Sequence, residues 1–298
     1  MTDLPYIVDA HHHLWDLQAC EHTWLAEKGV VRFFGDPARI QKNYHVEDLK
    51  DDFGALPVRK SVHIQVGVEP ADSLTETQWL QTQADQFGLP SAIIAFCDLT
   101  RDSAARDLEA HAQHTAVRGV RQIIGRSAEE DRKTGTSALL SDPRFERGLR
   151  WLAARDMSFD LQLTPPLMQD AAKLFAQLPD LKVALCHCGS LSQFDRDSLA
   201  EWKSGLHLLA ELPNVMCKVS GFGMFNPAWT QDSVAPLVHR VIEIFGPSRI
   251  AFGSNFPVDK LYASYEDTIG TYLEISAPYS IEERDMMFRS VAEAFYQI

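Results

Sequence analysis

The chain has little of what marks several protein classes. It carries 28 lysines and arginines against 41 aspartates and glutamates, a formal net charge of −13 over 298 residues. No basic cluster reverses that balance, which argues against a nucleic-acid partner held through phosphates. An anionic substrate would then need local cationic side chains in its site. Five cysteines fall in no paired pattern, so reduced thiols and a cytoplasmic setting are expected. No apolar run approaches the length of a membrane span. No basic segment followed by an apolar run opens the chain, so no secretory signal is expected.

What is present is an ordinary globular composition, 45% hydrophobic and 23% charged, laid out in a regular rhythm. Short apolar runs recur at residues 6–10, 61–66, 92–97, 117–123, 158–163, 182–187, 214–219 and 249–252. Helical spacing of apolar residues fills the intervals at 73–87, 143–155, 167–178 and 233–245. Gly246-Pro247 stops the last of these. Ser280 and Glu283 form a capping box for a final helix through Tyr296. Eight alternating units without a linker predict one α/β domain over 1–298, a (β/α)8 TIM barrel. A doubly wound sheet competes, but no glycine-rich phosphate loop follows the first strand. Residues 14–48 are too long for a plain connection and rich in aromatics, which predicts an excursion over the barrel mouth.

Catalytic groups of such a barrel sit at the C-terminal ends of its strands. Alternation along each strand then selects candidates. His11 and His13 share a face on the first strand and His12 faces away, as a structural residue. The second strand offers His63 and Gln65, the fourth Arg121, the fifth Gln162 and Thr164. The sixth offers His187, the seventh Lys218 and Ser220, the eighth Asn255. Val62, Ile64, Phe159, Leu161, Val215 and Val219 are assigned to the opposite face. His63 reads equally well as a hydrogen-bonded wall residue. Arg121 could hold a carboxylate or sugar oxygen through its fork, or form a rim ion pair. Lys218 is costly to bury unpaired, which favours a substrate-binding role. Cys186 and Cys188 point outward by parity, and Arg118 away from the cavity.

Taken in order, these residues resemble the amidohydrolase superfamily, and within it the amidohydrolase-related branch of small lactonases. The matching pieces are Val-Asp-Ala-His-His-His-Leu-Trp-Asp at 8–16, Gly119-Val120-Arg121, His187-Cys188-Gly189, Lys218-Val219-Ser220-Gly221 and Phe252-Gly253-Ser254 with Pro257-Val258. They span essentially the whole chain. The resemblance implies a distorted barrel, a site lined by His11, His13 and His187, and hydrolysis of sugar lactones, pyrone dicarboxylates or muconolactones. A neighbouring branch holds metal-dependent decarboxylases, and some lactonases of this branch work without a metal.

One position departs from the family pattern. Its usual strand-eight aspartate, the general base, is Asn255 here, and an amide cannot take a proton in that role. Asp259 is the nearest carboxylate that could replace it, with His187 as the rival base. The loss leaves His11, His13 and His187 as candidate metal ligands, a set that suits zinc with an open position. No cofactor is demanded; a divalent ion, zinc or manganese, is the candidate. The expected function is a hydrolase opening a sugar-acid or related carboxylated lactone by water attack on the ring carbonyl. His187, Asp259 and Asn255 are its catalytic candidates. His63, Gln65, Arg121, Gln162 and Lys218 are its substrate-binding candidates. The alternatives are a metal-dependent decarboxylase of an aromatic acid and a non-catalytic ligand-binding barrel. The expected partner is a small-molecule substrate, with no nucleic acid or membrane, and a homo-oligomer is compatible with the sequence.

Overall fold

The computed structural model describes residues 4–298. Eight strands run in chain order: β1 Ile7–His12, β2 Val58–Ile64, β3 Ala92–Ala95, β4 Val117–Val120, β5 Ser158–Leu161, β6 Lys182–Leu185, β7 Val215–Val219 and β8 Ile250–Phe252. Each pairs in parallel with the next in one sheet. At the mouth, β1 meets the segment after β8: Asn255 N–H donates to His11 O at 2.7 Å and His13 N–H to Phe256 O at 2.7 Å. Asp9 fastens this seam from the outer side. It accepts from Ser254 N–H, Ser254 Oγ (2.6 Å) and Tyr265 Oη (2.9 Å). The expected (β/α)8 TIM barrel is the observed fold.

The helices start where local chemistry starts them. The helix Pro143–Ala153 has Asp142 accepting from Arg144 N–H and proline in its first turn. Ser280 and Glu283 make the expected capping box. The segment beyond it breaks into Ile281–Asp285, a wide π turn Met286–Ser290 and Val291–Tyr296. The helix Ser73–Phe87 ends on the left-handed Gly88. All five cysteines are free and buried. Among the described residues no helix is long and apolar enough to cross a membrane.

Two apolar layers hold the barrel. Ile93, Phe159, Leu161, Val183, Val215, Val219 and Phe252 pack outward against the helices. Val8, Ala10, Val62, Ile64, Ile94, Ala184, Met216 and Ala251 fill the lumen, joined by Tyr296 of the last helix. Val62 and Ile64 therefore face inward. The strand-two alternation expected from the sequence is inverted, and His63 lies on the outer side.

Candidate active site

The histidine pair owes its direction to a backbone irregularity. Along β1 and β2 the partners are Asp9 with Ser61 and then His12 with His63, three residues on one strand against two on the other. This bulge keeps Ala10 and His11 both on the lumen side. The His11 ring lies 5.1 Å from that of His13 and 4.5 Å from that of His187. His12 turns outward and faces His63, ring to ring at 6.0 Å.

His187 reaches the group by a different route. The strand stops at Leu185, and His187, Cys188, Gly189 and Ser190 follow at positive φ. Such a run of left-handed residues is strained, and alternation does not extend through it. His187 swings into the lumen, where its Nδ1 sits 2.9 Å from Ser220 Oγ. A Cβ on Gly221 would come within 2.5 Å of that Nδ1, so only glycine fits there. The same turn corrects the expectation for Cys186: its Sγ lies 4.0 Å from Asp160 Oδ2, on the lumen side.

A cavity of about 470 Å³ opens above these groups. His13, Arg121, Gln162, His187 and Asn255 form its floor and lower wall. The long first connection supplies the roof, as expected, through Trp24, Val31, Arg32, Phe33 and Phe34. Arg126, Glu129, Glu130 and Lys133 stand at the rim. Arg32 pairs with Glu27 and Arg126 with Glu130 (2.9 Å). Neither the arm nor the loop after β4 has a periodicity that fixes side-chain direction, so this rim leaves no signal in the sequence.

Arg121 is the exception among the cations. It is 3% exposed, donates Nη1 to Gln162 Oε1 at 2.8 Å and Nη2 to Gln65 O, and leaves Nε buried without a partner. The acidic groups that reach it are the Cys186 thiol, which burial pushes up, and Asp160, which is already paired with Lys218. A buried guanidinium without its own carboxylate partner is chemically able to receive a ligand oxygen.

Three substrate-binding candidates from the sequence do not line the cavity. Lys218 lies wholly buried below the floor, its Nζ paired with Asp160. Asp160 also accepts from Tyr296 Oη at 3.1 Å. It shares the alternation that singles out Gln162, so a sequence signal for this pairing existed. His63 Nδ1 accepts from Leu14 N–H at 3.0 Å, which makes it a wall residue. Gln65 joins Gly67 N–H (2.7 Å) to Arg121 O (3.2 Å) and so supports the arginine from behind. Asp259 is also outside the cavity. It stands behind Asn255, whose amide is 3.0 Å away and whose other end is 3.2 Å from His13 Nε2.

Burial sets the charge of the group. It holds His11 and His187 well below the usual histidine range, helped by the positive charges of Lys218 and Arg121. It lowers His13 to about 3. All three are neutral imidazoles at pH 7. The Nδ1 of His13 is 2.7 Å from Ile64 O and its Nε2 is 3.2 Å from the Asn255 amide, whereas His187 has its Nδ1 engaged by Ser220 and keeps Nε2 for a ligand. Both ring nitrogens of His11 are buried without a partner. In donor chemistry these three rings fit a zinc ion with an open position, oriented from behind as metal-binding imidazoles are. As placed, no three His, Cys, Asp or Glu side chains among the described residues enclose an ion.

The profile of the family described as Amidohydrolase matches residues 8–298. An uncharacterized protein, y4mH, from Sinorhizobium fredii is 36% identical over 305 residues, covering 100% of both chains. An L-fucono-1,5-lactonase from Burkholderia multivorans is 27% identical, over 98% of this chain and 96% of its own. A crystal structure of an amidohydrolase from Burkholderia multivorans with bound zinc superimposes with a TM-score of 0.83 at 25% identity, over 98% and 99% of the two chains. With the eight-strand barrel and the histidine cluster at its mouth, the match over nearly the whole length places this chain in the amidohydrolase family.

Proposed function

We propose that the protein hydrolyses the ring ester of a sugar-acid lactone. The observation that carries this reading is Arg121, a buried guanidinium without a carboxylate partner that lines the cavity beside His187 and Gln162. The similarity to an L-fucono-1,5-lactonase supports it independently. Arg121 receives the lactone carbonyl oxygen and stabilises the oxyanion as water adds, a task suited to fixed positive charge in a dry site. His187, neutral and with its Nδ1 engaged by Ser220, takes the proton of the attacking water on Nε2 and returns it to the ring oxygen as the ester opens. Gln162 fixes the arginine fork and offers its amide to substrate hydroxyls. Rim cations already matched by Glu27, Glu129 and Glu130 suit a polyhydroxylated substrate better than a dicarboxylate. Zinc or manganese held by His11, His13 and His187 would be the alternative to proton transfer on His187 Nε2, supplying a Lewis acid to the same carbonyl.

The deciding experiment is acid release from a panel of five- and six-membered sugar lactones, with and without chelator. Turnover of at least one sugar lactone well above its spontaneous rate is expected. An inert protein across the panel under both conditions defeats the reading.

A further inference from the structure

Among the described residues that line the cavity, every charged side chain but one has an opposite charge beside it. Arg32 is paired with Glu27, Arg126 with Glu130 at 2.9 Å and Lys133 with Glu129 at 2.7 Å. Arg121, on the floor, is the exception. Its fork is held by neutral oxygens, Gln162 Oε1 at 2.8 Å and the carbonyl of Gln65. The acidic groups nearby are uncharged or already engaged. Burial pushes the Cys186 thiol up, which keeps it protonated at pH 7, and Asp160 is taken by Lys218 and Tyr296. The guanidinium lost its water on folding: Arg121 is 3% exposed before any ligand arrives. An anion entering from the mouth therefore gives up only its own water and meets a charge that nothing else offsets.

Opening a lactone makes such an anion where that charge lies. The oxygen of water bonds to the carbonyl carbon, the ring C–O bond breaks, and the former ring oxygen leaves with a hydrogen as a hydroxyl. The new carboxyl sheds its proton to solvent, as carboxyls do at pH 7. A neutral ring ester thus becomes a carboxylate against Arg121. We propose that the site holds the open sugar acid more tightly than any neutral form of the same chain, through Arg121, and that the enzyme is inhibited by its own product; the identity of the acid rests on the lactone reading. A neutral acceptor at the guanidinium is replaced by a charged one, a difference of roughly tenfold or more in affinity. The rim cations, matched by their own glutamates, add no such preference. Flux through the enzyme then depends on a following reaction that consumes the open acid and keeps its concentration below its dissociation constant.

The probes are the sodium salts of the open acids of the lactone panel, each beside its own primary amide, a neutral copy of the same chain. Binding is measured by calorimetry at pH 7 on the protein as purified and after dialysis against chelator. At least one acid should bind about tenfold or more tightly than its amide in both preparations. Arg121→Met, or Arg121→Gln if the first variant does not fold, should bring acid and amide together. Acids that never exceed their amides overturn the proposal. So does a preference lost on dialysis, which would put the anion on a metal ion, and so does one retained in a folded Arg121 variant. On a turned-over lactone the acid should inhibit competitively and more strongly than its amide. Turnover without such inhibition overturns the proposal and leaves the lactone reading standing. Acid binding by a protein inert to the whole panel overturns that reading and leaves the anion site.

Discussion

The Lys218 ammonium and the Asp160 carboxylate are paired inside the barrel, both side chains wholly out of water. Tyr296 closes over the same carboxylate. The pair ties β7 to β5 across β6 and lies under the histidine cluster. Removing one partner strands the other charge in a dry interior, which typically costs about 3–5 kcal/mol. Lys218→Met should lower the urea midpoint accordingly, and Lys218→Met with Asp160→Leu should recover much of the loss. A Lys218→Met protein of normal stability and raised KM would return Lys218 to substrate binding.

Arg121 presents the opposite case. Its charge is buried without its own counterion, so its removal should relieve the fold while abolishing function. Arg121→Met is expected to match or exceed wild-type thermal stability and to lower kcat on a turned-over lactone by roughly a hundredfold or more, the scale of a lost oxyanion contact. Arg121→Lys should rescue little, because one ammonium cannot reproduce the fork held by Gln162 and Gln65. A destabilised Arg121→Met protein with intact kcat would contradict this.

His187→Ala should reduce kcat by about a hundredfold or more. Ser220→Ala should have a smaller effect, since it loosens the ring without removing Nε2. The comparison is made by single-turnover rates on one lactone. Equal rates for wild type and His187→Ala would leave the site without its base.

Acid should weaken the fold through the same cluster. The unfolded chain takes up histidine protons below about pH 6.5, whereas folded His11, His13 and His187 stay neutral, His13 down to about 3. Stability therefore falls as pH drops through that window, by about 1.4 kcal/mol per pH unit for each such ring. Urea midpoints at pH 7.5 and 5 measure it. No change between them would mean that the rings are accessible to protons.

Zinc is expected to bind at the three imidazoles and to be stripped by chelator, because no carboxylate joins them. Equilibrium dialysis of wild type and His11→Ala checks both points. Retention by His11→Ala at wild-type stoichiometry would place the ion elsewhere.

The sequence alone determined the eightfold alternation, the helix at residues 73–87, the gathering of polar side chains at strand ends and the excursion over the mouth. These follow from local backbone hydrogen bonding and from which residues avoid water, and both leave a period in the chain. It also marked Asn255 as the place where the expected carboxylate is missing. Which side chains share the cavity was decided by the tertiary structure. A one-residue bulge in β1 and four left-handed residues after β6 bring His11 and His187 together. Neither event has a periodic signature, and each shifts side-chain direction by one position. The burial of Lys218 is resolved by Asp160 two strands away, a pairing that depends on which strands are neighbours. The place of Asp259 behind Asn255 is set in the same way, by the turn after β8 packing against Gly223, which local sequence does not encode.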